Sequence, residues 1–224
     1  MSDSQQTLDP KQAGAIVVET IMAMMQEGNP LMKRVLPDDN IVYWDHYPVG
    51  DARDANTKSR WYYHVHANGQ READEHGHFH LFLDQSQLDS PDGAWSEPSS
   101  TSTKRANVVH VAALSIDLQG IPRKWMVTNR WITDEWLYPA EKIIPALPRF
   151  NVDQTKQDAT ANRFLTAMVA MYRSEIALLL QQRDRRFAEM GASPENREPF
   201  QKGNEVMAEI AIDLDEKLAS LGIE

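Results

Sequence analysis

Five of the seven histidines in this 224-residue chain, His64, His66, His76, His78 and His80, fall between positions 64 and 80. Neutral imidazole is the commonest metal ligand on a protein. Three of them can hold zinc or another first-row ion at about 2.0–2.2 Å. Cysteine is absent, which removes thiolate metal sites, cysteine-held iron–sulfur clusters, disulfides and cysteine nucleophiles. A histidine site with open positions has the character of a catalytic centre, and iron or manganese would usually add a carboxylate. The expected cofactor is therefore a divalent transition metal: zinc, iron or manganese. Nearby carboxylates are Asp45, Asp51 and Asp54, with His46 among them; Asp45, His46 and Asp51 are candidates for supporting the ligands or binding a substrate. Glu75 joins only if its strand starts with a bulge, and Glu72 only by reaching back from a turn. The competing readings are metal-free catalysis or ligand binding, and a histidine-rich surface with no chemistry.

Parity makes the number significant. Successive side chains of a strand point to opposite faces. His64 and His66 share a face with Tyr62, while Trp61, Tyr63, Val65 and Ala67 share the other. His76, His78 and His80 share a face with Phe82, opposite Gly77, Phe79, Leu81 and Leu83. Both apolar faces must meet the core, since burial is worth about 25 cal/mol per Å². Paired as a hairpin through Asn68 and Gly69, the two strands put all five imidazoles on one side. One register opposes His64 to His78 and His66 to His76; another opposes His64 to His80 and His66 to His78. The metal then sits on an exposed sheet face.

Three resemblances follow from the motifs. His64-Val65-His66 is similar to the His-x-His of cupins, but the acidic residue comes late, at Glu72, and no second cupin motif follows. His76-Gly77-His78-Phe79-His80-Leu81-Phe82 resembles the signature of histidine-triad nucleotide hydrolases. That resemblance implies His78 as nucleophile on phosphorus, with His76 and His80 orienting it and the phosphate. The Pro-Arg that often follows is replaced by Leu83-Asp84. The fullest resemblance is to an uncharacterised bacterial family catalogued as a domain of unknown function. It rests on Trp44-Asp45-His46-Tyr47-Pro48-Val49-Gly50-Asp51, Tyr62-Tyr63-His64-Val65-His66, Glu75-His76-Gly77-His78-Phe79-His80 and Thr128-Asn129-Arg130-Trp131-Ile132-Thr133. It implies no particular activity.

The elements that must position these residues are strands in the middle and helices at the ends. Asp9, Pro10 and Gln12 spell a capping box for a helix over 8–28, with Val17, Ile21 and Met24 on one face. Strands are expected at 41–47, 60–67, 75–83, 108–117 and 124–133, rich in β-branched and aromatic residues. No helix-length segment separates consecutive strands, so the sheet should be mostly antiparallel. A helix capped by Asp158 carries Leu165, Val169, Tyr172, Ile176 and Leu179 as a buried stripe and ends in Arg183, Arg185 and Arg186. A last helix from about Pro199, with Val206, Ile210, Leu214, Leu218 and Leu221 inward, completes a helical hairpin over 158–221. The expected class is α+β: a twisted, mostly antiparallel sheet with the N-terminal helix and that hairpin packed on it, in one domain. Residues 85–103, rich in Ser, Pro, Asp and Gly, read as a mobile surface loop with Trp95 as an anchor.

Among the remaining polar residues, Arg130 is a candidate clamp for a carboxylate or phosphate, or a partner for a structural acid. His110 is either a core histidine or a sixth member of the cluster. With 33 acidic and 23 basic residues, the net charge of −10 disfavours nucleic acid and anionic membranes as partners. The polar start and the lack of a long apolar run point to a cytoplasmic protein. A small molecule is a candidate partner, and a second copy could dock through the C-terminal helices. A non-enzymatic interaction module is the third functional alternative.

Overall fold

The computed structural model describes residues 7–38, 40–67, 74–99, 107–193 and 196–223. The elements run α1 (Pro10–Gln26), α2 (Leu31–Val35), β1 (Tyr47–Arg53), β2 (Arg60–His64), β3 (Glu75–Asp84), β4 (Val108–Asp117), β5 (Pro122–Thr128), α3 (Arg130–Thr133), α4 (Ala140–Ile143), α5 (Ala159–Met171), α6 (Arg173–Glu189), β6 (Val206–Ala211) and α7 (Leu214–Ser220). The six strands form one sheet in the order β1-β2-β3-β4-β5-β6, antiparallel at every pairing. The class is α+β, as the strand spacing implies.

Local chemistry explains the main elements. Asp9 accepts from the backbone of Lys11 and Gln12, and the Gln12 side chain reaches back to Asp9, so α1 starts on a complete capping box. Helix α1 lies along α5, and α6 packs against β5 and β6. Trp61, Tyr63, Phe79, Leu81, Leu114 and Trp125 join Val17, Phe164, Leu165, Met168 and Ile176 in one buried cluster. The sheet thus presents one face to the helices, and the histidines project from the other.

Three expected elements differ. Ile41–Tyr47 is not a strand: Ile41 to Trp44 are exposed and β1 begins only at Tyr47. β5 stops at Thr128, so Asn129 and Arg130 leave the sheet; Asn129 sits before α3 and donates to Pro199 and Lys202 carbonyls. Among the described residues the helical hairpin over 158–221 does not form. Its first arm is α5 and α6, bent by 70° at Tyr172. The stripe of Leu165, Val169, Tyr172, Ile176 and Leu179 is buried as expected, because both halves serve the same core. Its second arm is mostly strand β6, paired with β5, followed by the short α7. Val206 and Ile210 are four apart, a spacing that fits a strand as well as a helix. The hairpin on which docking of a second copy was expected is therefore absent.

The segment after β3 also differs from a mobile loop over its described part, 85–99. Trp95 stacks on Phe200, Ser96 bridges to Leu137, and the Ser99 backbone and hydroxyl both donate to Asp134. Asn68, Gly69, Glu72 and Ser100 to Thr103 lie outside the described residues. Among the described residues, no single helix is long and apolar enough to cross a membrane.

Candidate metal centre

Two irregularities in the sheet decide which side chains meet. Glu75 pairs with Asp117 and Gly77 with Ile116, so His76 is an extra residue at the start of β3. The bulge carries His76 out of the cluster, to Tyr63 of the helix-packed face. The two rings stack, and His76 Nδ1 lies 2.5 Å from Tyr63 Oη. The same bulge leaves Glu75 on the side of His78. Gly77 makes the bulge possible: a Cβ there would lie 2.4 Å from the His64 carbonyl oxygen. A second irregularity lies in β4. Leu81 pairs with Ala112 and Phe82 with His110, so Val111 is extra. His110 thereby turns toward His80, with His110 Nε2 3.1 Å from His80 Nδ1.

Between these bulges the alternation is regular. His64 stands directly opposite His78, and Tyr62 opposite His80. This is the His64–His78 pairing of the first expected register; its other pairing, His66 with His76, does not form, because β2 ends at His64 and His76 is the bulge residue. The Nε2 atoms of His64 and His78 are 2.7 Å apart, and His66 Nε2 is 3.1 Å from His64 Nε2. Ring nitrogens of His64, His78 and His80 all lie within 4.8 Å of one another. The face is not exposed as expected: these three residues are 6%, 6% and 0% accessible, and only His66 is half-buried. His80 Nε2 is buried without a hydrogen-bond partner. On the far side of its ring, His78 Nδ1 lies 2.7 Å from Glu75 Oε1. A carboxylate in that position fixes the tautomer that leaves Nε2 free to ligate.

Burial holds His78 and His80 neutral. The pKa of His78 is lowered from 6.5 to about 3, by desolvation first and then by the charges of His66 and Lys124. His80 is lowered well below 6.5, again chiefly by desolvation, with the surrounding His78, His110, His64 and His46 adding to it. Neutral imidazole is the form a metal requires.

The segment before β1 covers the cluster. Trp44, at a positive φ of 71°, leans over His66 with ring centroids 4.2 Å apart. His46 stacks flat on Tyr62 at 3.6 Å, its Nδ1 3.0 Å from Asp51 Oδ1, and its ring lies 6.3 Å from that of His64. His46 and Asp51 therefore border the cluster as a pair. Asp45 points to solvent, and Asp54 is spent on the backbone of Asn56, Thr57 and Gln154. Arg130 takes the structural alternative: it donates to the Glu97 carbonyl and pairs with Asp134. His76 is likewise removed from the predicted set of five.

One buried group near the cluster carries no sign in the sequence, and a second is named there only conditionally. Glu135 accepts from the backbone N–H of His110, and its pKa is raised from 4.5 to about 7 by burial, against the pull of Arg183 and Arg130. No spacing marks it, since it follows a four-residue helix. Glu75 was conditional on a bulge, and the glycine in mid-strand at 77 is the sign that could have decided it.

Residues 11–212 match the family described as Domain of unknown function (DUF6969). The chain belongs to that family. The match covers nearly the whole of the described fold, from α1 to just past β6, including every histidine of the cluster. No curated protein and no solved structure matches the chain.

Proposed function

We propose that this DUF6969 protein binds one divalent transition metal, zinc, iron or manganese, between His64, His78 and His80, and uses it as an enzyme acting on a small molecule. The observation that carries the reading is His80 Nε2. It is a buried acceptor or donor with no protein partner, gathered with the ring nitrogens of His64 and His78. An ion at that point would satisfy it. His66 stands beside the group as a fourth ligand or a neighbour of the open position. Glu75 would orient His78, and His110 would orient His80. A metal in such a site supplies Lewis acidity or activates water. His46, oriented by Asp51 at the rim, is placed for proton transfer to or from a substrate.

The histidine-triad alternative is less well supported. It needs His76 and His80 to flank His78 on one face, and His76 instead lies against Tyr63. Elemental analysis of protein purified without a histidine tag tests the proposal. About one equivalent of metal is expected, with loss of metal on replacing His64, His78 and His80 together by glutamine. Metal-free protein whose melting temperature is unmoved by added zinc, iron or manganese would refute it.

A further inference from the structure

We propose that Ser115 and Lys124 form an oxyanion-binding subsite beside the histidine cluster, so that the small molecule acted on carries a carboxylate or phosphate group. This deepens the metal-centre reading and rests on it. The ladder registers make a straight row across four strands. His64 opposes His78, His78 opposes Ser115, and Ser115 opposes Lys124. Directly opposed residues share a face, with Cβ atoms about 4.5–5.5 Å apart. Ser115 thus lies one strand from His78 on the cluster's own face, and Lys124 one strand further.

Ser115 is 1% accessible, and its Oγ has no hydrogen-bond partner. Buried hydroxyls in folded proteins are nearly always satisfied, so an orphaned one beside a histidine cluster points to a missing acceptor. Lys124 brings the positive charge. Its side chain is only 15% accessible, and Nζ lies 3.1 Å from the more exposed Glu209. Its field reaches His78, which adds to the neutral state of that ring. On a chain of net charge −10, an anionic substrate needs such a local positive charge to approach. A hydroxyl donor and an ammonium together suit an oxyanion, since hydrogen bonds to an ionised acceptor are the strong ones. Glu209 competes for Lys124 and would be displaced or shared.

Calorimetric titration tests this on the full chain carrying its bound metal without excess ion. Inorganic phosphate and acetate are the probes, applied to wild type, Ser115→Ala, Lys124→Met and Glu209→Gln, with metal content measured on each sample. Equal metal content is expected in all four. Binding of the preferred anion should weaken about ten-fold or more in S115A and K124M. It should tighten a few-fold in E209Q, where the pull of Glu209 on Lys124 is removed. The tighter of the two probes in wild type identifies the group. Unchanged binding in S115A and K124M at full metal content, or no binding of either anion to metal-loaded wild type, overturns the subsite and leaves the metal centre standing. Absence of metal from wild type overturns the centre itself. The E209Q arm carries the test if either loss variant fails to fold.

Discussion

The two faces of this sheet are built on opposite terms. The helix-packed face is Trp61, Tyr63, Phe79, Leu81, Leu114 and Trp125, all buried against α1, α5 and α6. Its side chains have no polar duties beyond the occasional ring N–H or hydroxyl, so volume and transfer from water decide them. The other face buries His64, His78 and His80 at nearly the same depth. Those rings gain less from leaving water, must stay uncharged, and leave His80 Nε2 unsatisfied. The comparison teaches that equal burial does not mean an equal role: one face stabilises the fold, and the other is maintained at a cost to it.

That contrast is open to direct attack. Phe79→Ala on the helix side should cost roughly 3–5 kcal/mol, read from urea unfolding of the metal-free protein. His80→Phe, its neighbour on the other side, should leave stability within about 1 kcal/mol or raise it, while abolishing metal uptake. Equal large losses for both would erase the distinction between the faces.

Acid should separate the faces next. His78 and His80 have lowered pKa values in the folded state, so their contribution is whole above the ordinary 6.5 and is lost as pH falls toward 3. Glu135 works the other way. It is raised to about 7, so it binds a proton more readily folded than unfolded between 4.5 and 7 and offsets part of the loss. Below 4.5 the offset ends. Urea midpoints of metal-free protein should fall gently from pH 7 to 4.5 and about twice as steeply below. A profile that is flat to pH 4 would mean the rings are not buried as neutral groups.

The smallest effects sharpen the assignment within β3. Glu75→Gln should weaken metal binding about 10–100-fold with little change in fold stability, since only the orientation of His78 is disturbed. His76→Phe should leave metal content unchanged, because that ring faces Tyr63. The reverse result, metal lost in the second variant and kept in the first, would restore the unbulged register.

Alternation alone placed most of the candidate site. His64, His66, His78 and His80 come together because the apolar partners Trp61, Tyr63, Phe79 and Leu81 admit one orientation of β2 and β3. What alternation cannot supply is a change of parity. His76 is itself an extra residue and His110 lies next to one, and their neighbours are β-like in both versions. The covering segment was misread for a related reason. Ile41, Val42, Tyr43 and Trp44 have strand-forming side chains, but no strand among the described residues pairs with them, and all four are left about half in solvent. The C-terminal strand was lost because Val206 and Ile210 satisfy two periods at once. By contrast, α1 was legible to its first residue, since Asp9, Pro10 and Gln12 act within a single turn and depend on nothing distant.

The placing of the two irregularities has a bearing on how such a protein could diversify. They stand near either end of the histidine run in β3, one in that strand and one in its neighbour. Gaining or losing a single residue at either point would exchange which side chains line the imidazole wall, with Phe79 and Leu81 still seated under the helices. A family built on this sheet can therefore alter its ligand set by one-residue length changes while its hydrophobic interior stays as it is.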